Sequence, residues 1–168
     1  MPESNARHRR EFDDALEAVR RRIVRERWGV AEGSLKAHED LMLGHCHENV
    51  IDTCDALVAR GYEPRFVWGA VNRGDERHTP ETIAEAEQNG TVHFWTEVDV
   101  DGETFVLDPA AETDADRGSP LVTAELPEEY VRLPDSRFVY RMDVHARNLR
   151  NTEGYDDLVE RGYLDRRR

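Results

Sequence analysis

A helical pattern of apolar positions opens the chain. Between residues 5 and 28, apolar side chains recur at spacings of four, three and four residues, and charged residues fill most of the positions between them. The recurring apolar residues are Phe12, Leu16, Val19 and Ile23. This spacing predicts an amphipathic helix that buries one face.

Two more helices are predicted before the pattern changes. Ser34 is a suitable N-cap for a helix that Gly44 interrupts. A second apolar stripe then runs from about Cys46 to Arg60, and Gly61 stands where a helix would end. Cys46 is therefore expected at the N-terminus of a helix.

Period-two alternation, typical of strands, follows these helices. Residues 64 to 71, PRFVWGAV, predict one strand. Residues 91 to 109 alternate aromatic and β-branched side chains with polar ones on both sides of Asp101-Gly102, a favoured two-residue turn. This segment predicts a β-hairpin.

The remaining segments carry weaker patterns. A short helix is expected within residues 79 to 90, capped by Thr79. Residues 128 to 133 and 136 to 142 are expected as strands, and residues 155 to 161 as a short closing helix. Together these elements predict an α+β fold with N-terminal helices packed on an antiparallel sheet, in one domain spanning residues 1–168.

The charge balance of the chain excludes some partners. Asp and Glu number 36 against 23 Lys and Arg, for a net charge of -13. Such a surface argues against binding to nucleic acid or to an anionic membrane. Lys36 is the single lysine, and 38% of the residues are hydrophobic. This acidic, lysine-poor composition predicts a halophilic protein, with an arginine-rich genome lacking salt adaptation as the alternative.

Targeting signals and disulfides are not expected. No run of about 20 apolar residues occurs, and the N-terminal MPESNARHRREFDD lacks the apolar stretch of a signal peptide, so we expect a cytoplasmic protein. Cys46 and Cys54 lie eight residues apart in one predicted helix. That spacing is roughly 12 Å along the axis, too far for a disulfide, so both thiols are expected to be free.

The predicted turn fixes which hairpin residues are neighbours. If Val100 faces Glu103 across the turn, His93 and Asp108 become diagonal neighbours on one face of the sheet. An imidazole and a carboxylate can close that diagonal with a hydrogen bond. The opposite face is the apolar one. The face bearing His93 and Asp108 is therefore expected to lie outside the main core, at a place that the helix carrying Cys46 could approach. A thiol, a histidine and a carboxylate are the side chains that thiol-based nucleophilic catalysis needs.

These residues occur within motifs that resemble the transglutaminase-like superfamily. The similar segments are GHCHENVIDTCDALVARGYEPRFVWGAV and HFWTEVDVDGETFVLDPA, within about residues 41–110. The matching positions, in order, are Gly44 and Cys46, Gly61 and Arg65, His93 with Trp95 and Glu97, and Asp108-Pro109. The ordered set is more specific than any single motif.

The resemblance implies a papain-like core and a catalytic triad. In it Cys46 is the nucleophile, His93 the general base and acid, and Asp108 the carboxylate that orients the imidazole. The implied reaction is cysteine-dependent acyl chemistry on an amide of a peptide, a protein or a small molecule, with hydrolysis favoured over transamidation and no cofactor required. The alternative is a catalytically silent binding or structural module.

Several neighbouring residues carry open alternatives. Trp95 is expected either to line the substrate site or to pack across strands, and Trp28 is a candidate for the oxyanion donor or the substrate site. Glu97 is expected as a solvated or hydrogen-bonded strand residue. Packing is the default for three tyrosines: Tyr130, Tyr140 and Tyr155.

A metal site is the weakest of the interpretations. His45 and His47 flank Cys46 and could act with His38 or His78. Adjacent residues at a helix start point in different directions, however, and no spacing typical of zinc ligands occurs. We therefore expect no metal.

Overall fold

A computed structural model describes residues 3–27, 46–113, 117–140 and 164–166. Its helices are α1 (Glu3–Arg22), which continues into a π-helical turn (Ile23–Arg27), α2 (Cys46–Val58) and α3 (Ile83–Gln88). Its strands are β1 (Pro64–Val71), β2 (Val92–Val100), β3 (Glu103–Asp108), β4 (Leu121–Thr123), β5 (Tyr130–Tyr140) and β6 (Leu164–Arg166). The α+β class is confirmed.

The described strands form one antiparallel sheet in the order β4-β3-β2-β1-β5-β6. The β2–β3 hairpin turns at Asp101 and Gly102, both with positive φ (49° and 81°), as a two-residue turn of this kind requires. Val100 faces Glu103, so the predicted register is confirmed. None of the helices in the described ranges is long and apolar enough to cross a bilayer.

The two long helices cover one face of the sheet. The four apolar residues that predicted α1 are all at most 4% exposed. Phe12 and Leu16 pack with Leu57 of α2 and with Phe105 of β3. α2 ends at Val58, and Gly61 follows with a positive φ of 86°. Since this helix packs on the central strands, its first residue, Cys46, has a fixed position beside the sheet.

The opposite face of the sheet is also buried. It carries its own apolar cluster, which contains Val67, Val71, Trp95, Val106 and Tyr130. The face that bears His93 and Asp108 is therefore distinct from the main core, as expected, but it is a second, smaller core rather than an open surface. Helix α2 packs on the other face, where Cys54 contacts Thr96, and not on the face of His93 as expected.

The short helix α3 begins at a different residue from the one predicted. The N-cap of α3 is Thr82, not Thr79, because the Thr82 hydroxyl accepts a hydrogen bond from the Glu85 backbone N–H. Thr82 has a glutamate three residues later, as a capping box does, whereas Thr79 has a threonine there. The helices expected after Ser34 and over residues 155 to 161 lie outside the described residues.

The two strands expected after residue 127 form one irregular strand. β5 runs through Pro134 and Asp135, and its register against β1 shifts between Val67 and Gly69. Val67 faces Arg137 while Gly69 faces Arg132, so residues 133 to 136 bulge away from the ladder. The proline, which lacks an N–H, lies inside this bulge.

Candidate active site

Cys46 is the first residue of α2, and its side chain is partly exposed. It lies close enough to His93 of β2 to contribute, through its side chain, to the raised pKa of the imidazole. The second thiol of the same helix is less accessible: Cys54 is fully buried, with its sulfur 3.7 Å from the Thr96 hydroxyl. Burial raises the pKa of the Cys54 thiol. Of the two thiols, only Cys46 is therefore suited to attack a substrate.

The hydrogen bond that the hairpin register predicts is present. Nε2 of His93 lies 2.5 Å from Oδ2 of Asp108, and both residues are 1% exposed. Because Nε2 is engaged with the carboxylate, Nδ1 is the ring nitrogen left to face Cys46. His93 thus lies between the Cys46 thiol and the Asp108 carboxylate, in the order that a nucleophile, a base and an orienting group require.

The Asp108 carboxylate is held by three donors. Besides His93, the Tyr130 hydroxyl donates to Oδ2 at 2.7 Å, and the Ala110 backbone N–H donates to Oδ1 at 3.0 Å. The Tyr130 oxygen in turn accepts from the Glu112 backbone N–H at 3.2 Å. A carboxylate with this many fixed donors is locked in one orientation.

Tyr130 corrects the expectation of simple packing. Its hydroxyl contacts the proposed triad, and its ring lies edge-on to His93 at 5.3 Å between centroids. It reaches the site because β5 pairs with β1, where Tyr130 faces Val71. No local spacing in the sequence signals this pairing, so only a correct prediction of the sheet order would have found it.

The electrostatics of His93 favour its charged form. Burial by itself lowers the pKa of the imidazole, but the charge of Asp108 and the hydrogen bonds to Asp108 and Cys46 together outweigh it and raise the pKa to about 10. At neutral pH His93 is therefore an imidazolium beside the Cys46 sulfur.

The raised pKa of His93 predicts a pH-dependent stability. Below about pH 6.5 the histidine is protonated in both the folded and the unfolded chain, and its contribution is complete. As the pH rises toward 10, the unfolded histidine is neutral, so the contribution of the charged pair is lost. We expect the free energy of unfolding, relative to His93→Gln, to fall by several kcal/mol over this range. Urea titrations of both proteins from pH 6 to pH 10 check this, and parallel curves would contradict it.

A second buried network supports the strand that carries His93. Glu97 is 0% exposed and accepts from the Trp95 indole N–H at 2.9 Å. Its carboxylate lies 2.8 Å from Nε of Arg132 and 2.7 Å from Nε of Arg137. Of the two states expected for Glu97, solvated or hydrogen-bonded, the structure shows the hydrogen-bonded one. Two arginines compensate the cost of burying its charge.

Trp95 has a packing role. It is 0% exposed, and its ring lies 5.1 Å from the Tyr130 ring and 6.1 Å from the His93 ring. A fully buried indole offers no surface to a substrate, so of the two alternatives for Trp95 the structure agrees with cross-strand packing. Its contacts instead fix the position of the His93 ring.

Some candidate residues cannot be placed relative to the site. Trp28, His38, His45 and Tyr155 lie outside the described residues. Within the described ranges, no group of three or more His, Cys, Asp or Glu side chains could hold a metal ion. His78 lies 3.5 Å from the exposed Glu76 in an ion-pair geometry.

Comparisons with protein families, with curated proteins and with solved structures find no match to this chain. The geometry of the site is therefore the basis for any functional inference.

Proposed function

We propose that this protein is a cysteine-dependent acyl hydrolase that cleaves amide bonds. The observation that carries the proposal is the buried His93–Asp108 hydrogen bond with Cys46 beside the imidazole. The resemblance of these motifs to the transglutaminase-like superfamily points to the same chemistry and to a papain-like core. The substrate class is an amide in a peptide, a protein or a small molecule.

The geometry supports a two-stage reaction. The Cys46 thiolate attacks the carbonyl carbon, and the resulting tetrahedral intermediate collapses as the His93 imidazolium gives its proton to the leaving amine. This stage leaves a thioester on Cys46 and a neutral imidazole. Neutral His93 then takes a proton from water, whose oxygen attacks the thioester carbon. The second tetrahedral intermediate then collapses, which expels the Cys46 thiolate and releases the carboxylic acid. Because His93 keeps the proton that it took from water, the thiolate and imidazolium pair is restored.

Hydrolysis is preferred over transamidation as the second stage. Water needs no binding groove of its own, whereas an acceptor amine does. Incorporation of an added amine faster than release of the free acid would overturn this preference. Mass spectrometry of products formed with and without a primary amine separates the two reactions.

Alkylation of Cys46 by iodoacetamide tests the proposal without knowledge of the substrate. We expect rapid labelling well below pH 8 in the wild type, since the imidazolium stabilises the reactive thiolate. His93→Ala should slow labelling at pH 6.5 by at least about tenfold, because it removes that stabilisation. Peptide mapping of the labelled protein provides the rates, with Cys54 as the internal control.

The outcome also decides between the two classes of function. If Cys46 labels slowly and with the pH dependence of an ordinary thiol in both proteins, the thiolate and imidazolium pair is absent. That result would favour the alternative, a catalytically silent binding or structural module. Labelling in low and in molar KCl, with folding checked by circular dichroism, would also test the predicted adaptation to salt.

A further inference from the structure

Arg73, which follows β1, binds Glu112 at both its backbone and its side chain. Nε of the arginine donates to the Glu112 backbone carbonyl at 2.9 Å, and Nη2 donates to the Glu112 carboxylate. The glutamate side chain is 8% exposed and the arginine side chain 35%. Two charge-assisted hydrogen bonds from one planar guanidinium fix the orientation of the acceptor as well as its position. The backbone of Glu112 is therefore held in place beside the end of β1.

The backbone N–H of Glu112 fixes the direction of the Tyr130 hydroxyl. A backbone N–H can only donate, so the tyrosine oxygen is the acceptor in their 3.2 Å contact. The single proton of the hydroxyl is then directed to Oδ2 of Asp108, at 2.7 Å. Burial and the charge of Asp108 raise the pKa of Tyr130, so the hydroxyl keeps this proton. A hydroxyl that accepts one hydrogen bond also donates a stronger one.

Tyr130 and His93 donate to the same oxygen atom. Nε2 of His93 lies 2.5 Å from Oδ2 of Asp108, the oxygen that also accepts from the Tyr130 hydroxyl. A second donor stabilises the negative charge on this oxygen, so the carboxylate attracts the imidazole proton less strongly. The Tyr130 hydrogen bond therefore determines how far the His93 proton is drawn toward Asp108.

We propose that Arg73 is a positioning residue of the candidate active site. It acts through Glu112 and Tyr130 on the carboxylate of Asp108, and we call this series of contacts the Arg73 relay. The relay connects a partly exposed ion pair to a buried carboxylate. Its importance for catalysis rests on the hydrolase function proposed above, whereas its effect on His93 does not.

NMR spectroscopy of the full chain with ¹⁵N-labelled histidine tests the Arg73 relay. At neutral pH the proton between His93 and Asp108 should give a signal far downfield, which is assigned by its loss in His93→Gln. We expect Tyr130→Phe to move this signal further downfield, because the carboxylate then attracts the proton more strongly. Arg73→Met should cause a smaller shift in the same direction, since Tyr130 keeps its proton but loses the N–H that orients it.

Two further variants control for charge and for folding. Arg73→Lys keeps the positive charge but not the planar fork, so it should shift the signal in the same direction as Arg73→Met. Arg77→Met removes an exposed arginine of the same loop, which bonds to the Gly74 and Glu76 carbonyls, and should leave the signal unchanged. The loop after β3 should stay folded in these variants because Arg20 also holds it, through two of its backbone carbonyls. Circular dichroism checks the fold.

The double variant Arg73→Met/Tyr130→Phe separates the relay from an effect of charge through space. We expect its signal to match that of Tyr130→Phe alone, because the relay has already lost its middle contact. If Arg73→Met shifts the signal equally with and without Tyr130, the proposal is wrong. It is also wrong if a folded Arg73→Met or Arg73→Lys protein gives the wild-type signal. None of these results depends on the reactivity of Cys46, so the labelling experiment remains an independent test of the hydrolase function.

Discussion

Asp108→Asn is expected to lower kcat for amide hydrolysis by about 10⁴-fold, the size of effect seen when the orienting carboxylate of a triad becomes an amide. An asparagine has one acceptor oxygen, whereas Asp108 accepts from Ala110 N at one oxygen and from His93 and Tyr130 at the other. If the amide oxygen of the asparagine keeps the hydrogen bond from the Ala110 backbone N–H, its NH₂ group donates to Nε2 of His93. The proton of neutral His93 then resides on Nδ1, which can no longer accept one from Cys46.

The effect of Asp108→Asn on Cys46 can also be measured without a substrate. Iodoacetamide labelling of Cys46 near pH 7 should fall toward the rate of an ordinary thiol in Asp108→Asn. Asp75→Asn, at an exposed turn position, is the matched control and should label like the wild type. A folded Asp108→Asn protein that labels at the wild-type rate would refute the orienting role of Asp108.

Gly69→Ala is expected to cause the largest loss of stability, about 3 kcal/mol or more. A Cβ atom at this position would lie 2.1 Å from Cη2 of Trp95 and 2.5 Å from the backbone oxygen of Val131. Neither can move easily, since Trp95 is buried against His93 and Tyr130 and Val131 belongs to the neighbouring strand. The glycine is required because the indole lies directly over it.

Denaturant titration measures this effect against a matched glycine. Gly74 has a positive φ of 67°, but an added Cβ would meet nothing within 4 Å. Gly74→Ala should therefore cost only about 1 kcal/mol, from backbone strain alone. Equal losses in the two variants would show that Trp95 and Val131 move aside and that the packing over Gly69 is not tight.

Local patterns in the sequence were sufficient to predict the β2–β3 hairpin and helix α2. Asp101-Gly102 specifies the turn, the turn specifies the register, and the register brings His93 to Asp108. In the same way, the apolar stripe of α2 and the terminal Gly61 define a helix that begins at Cys46. Each of these features depends on residues close together in the chain, where steric and hydrogen-bonding preferences act directly.

The contacts that hold Asp108 and Glu97 in place could not be predicted from such local patterns. Tyr130, Arg132 and Arg137 reach Asp108 and Glu97 only because β5 lies beside β1. Such a long-range pairing leaves no periodic signal in either strand. The bulge in β5, which includes Pro134, likewise corresponds to no recognisable local motif.

The late position of β5 in the chain has a consequence for protein synthesis. Cys46, His93 and Asp108 leave the ribosome before Tyr130, so a nascent chain holds all three proposed catalytic groups before it holds the donor that fixes the carboxylate. Strand β1 pairs with β2, which follows it closely in the chain, and gains its second partner only when β5 arrives. The full set of donors to the Asp108 carboxylate can therefore assemble only late in synthesis, once residue 130 has left the ribosome.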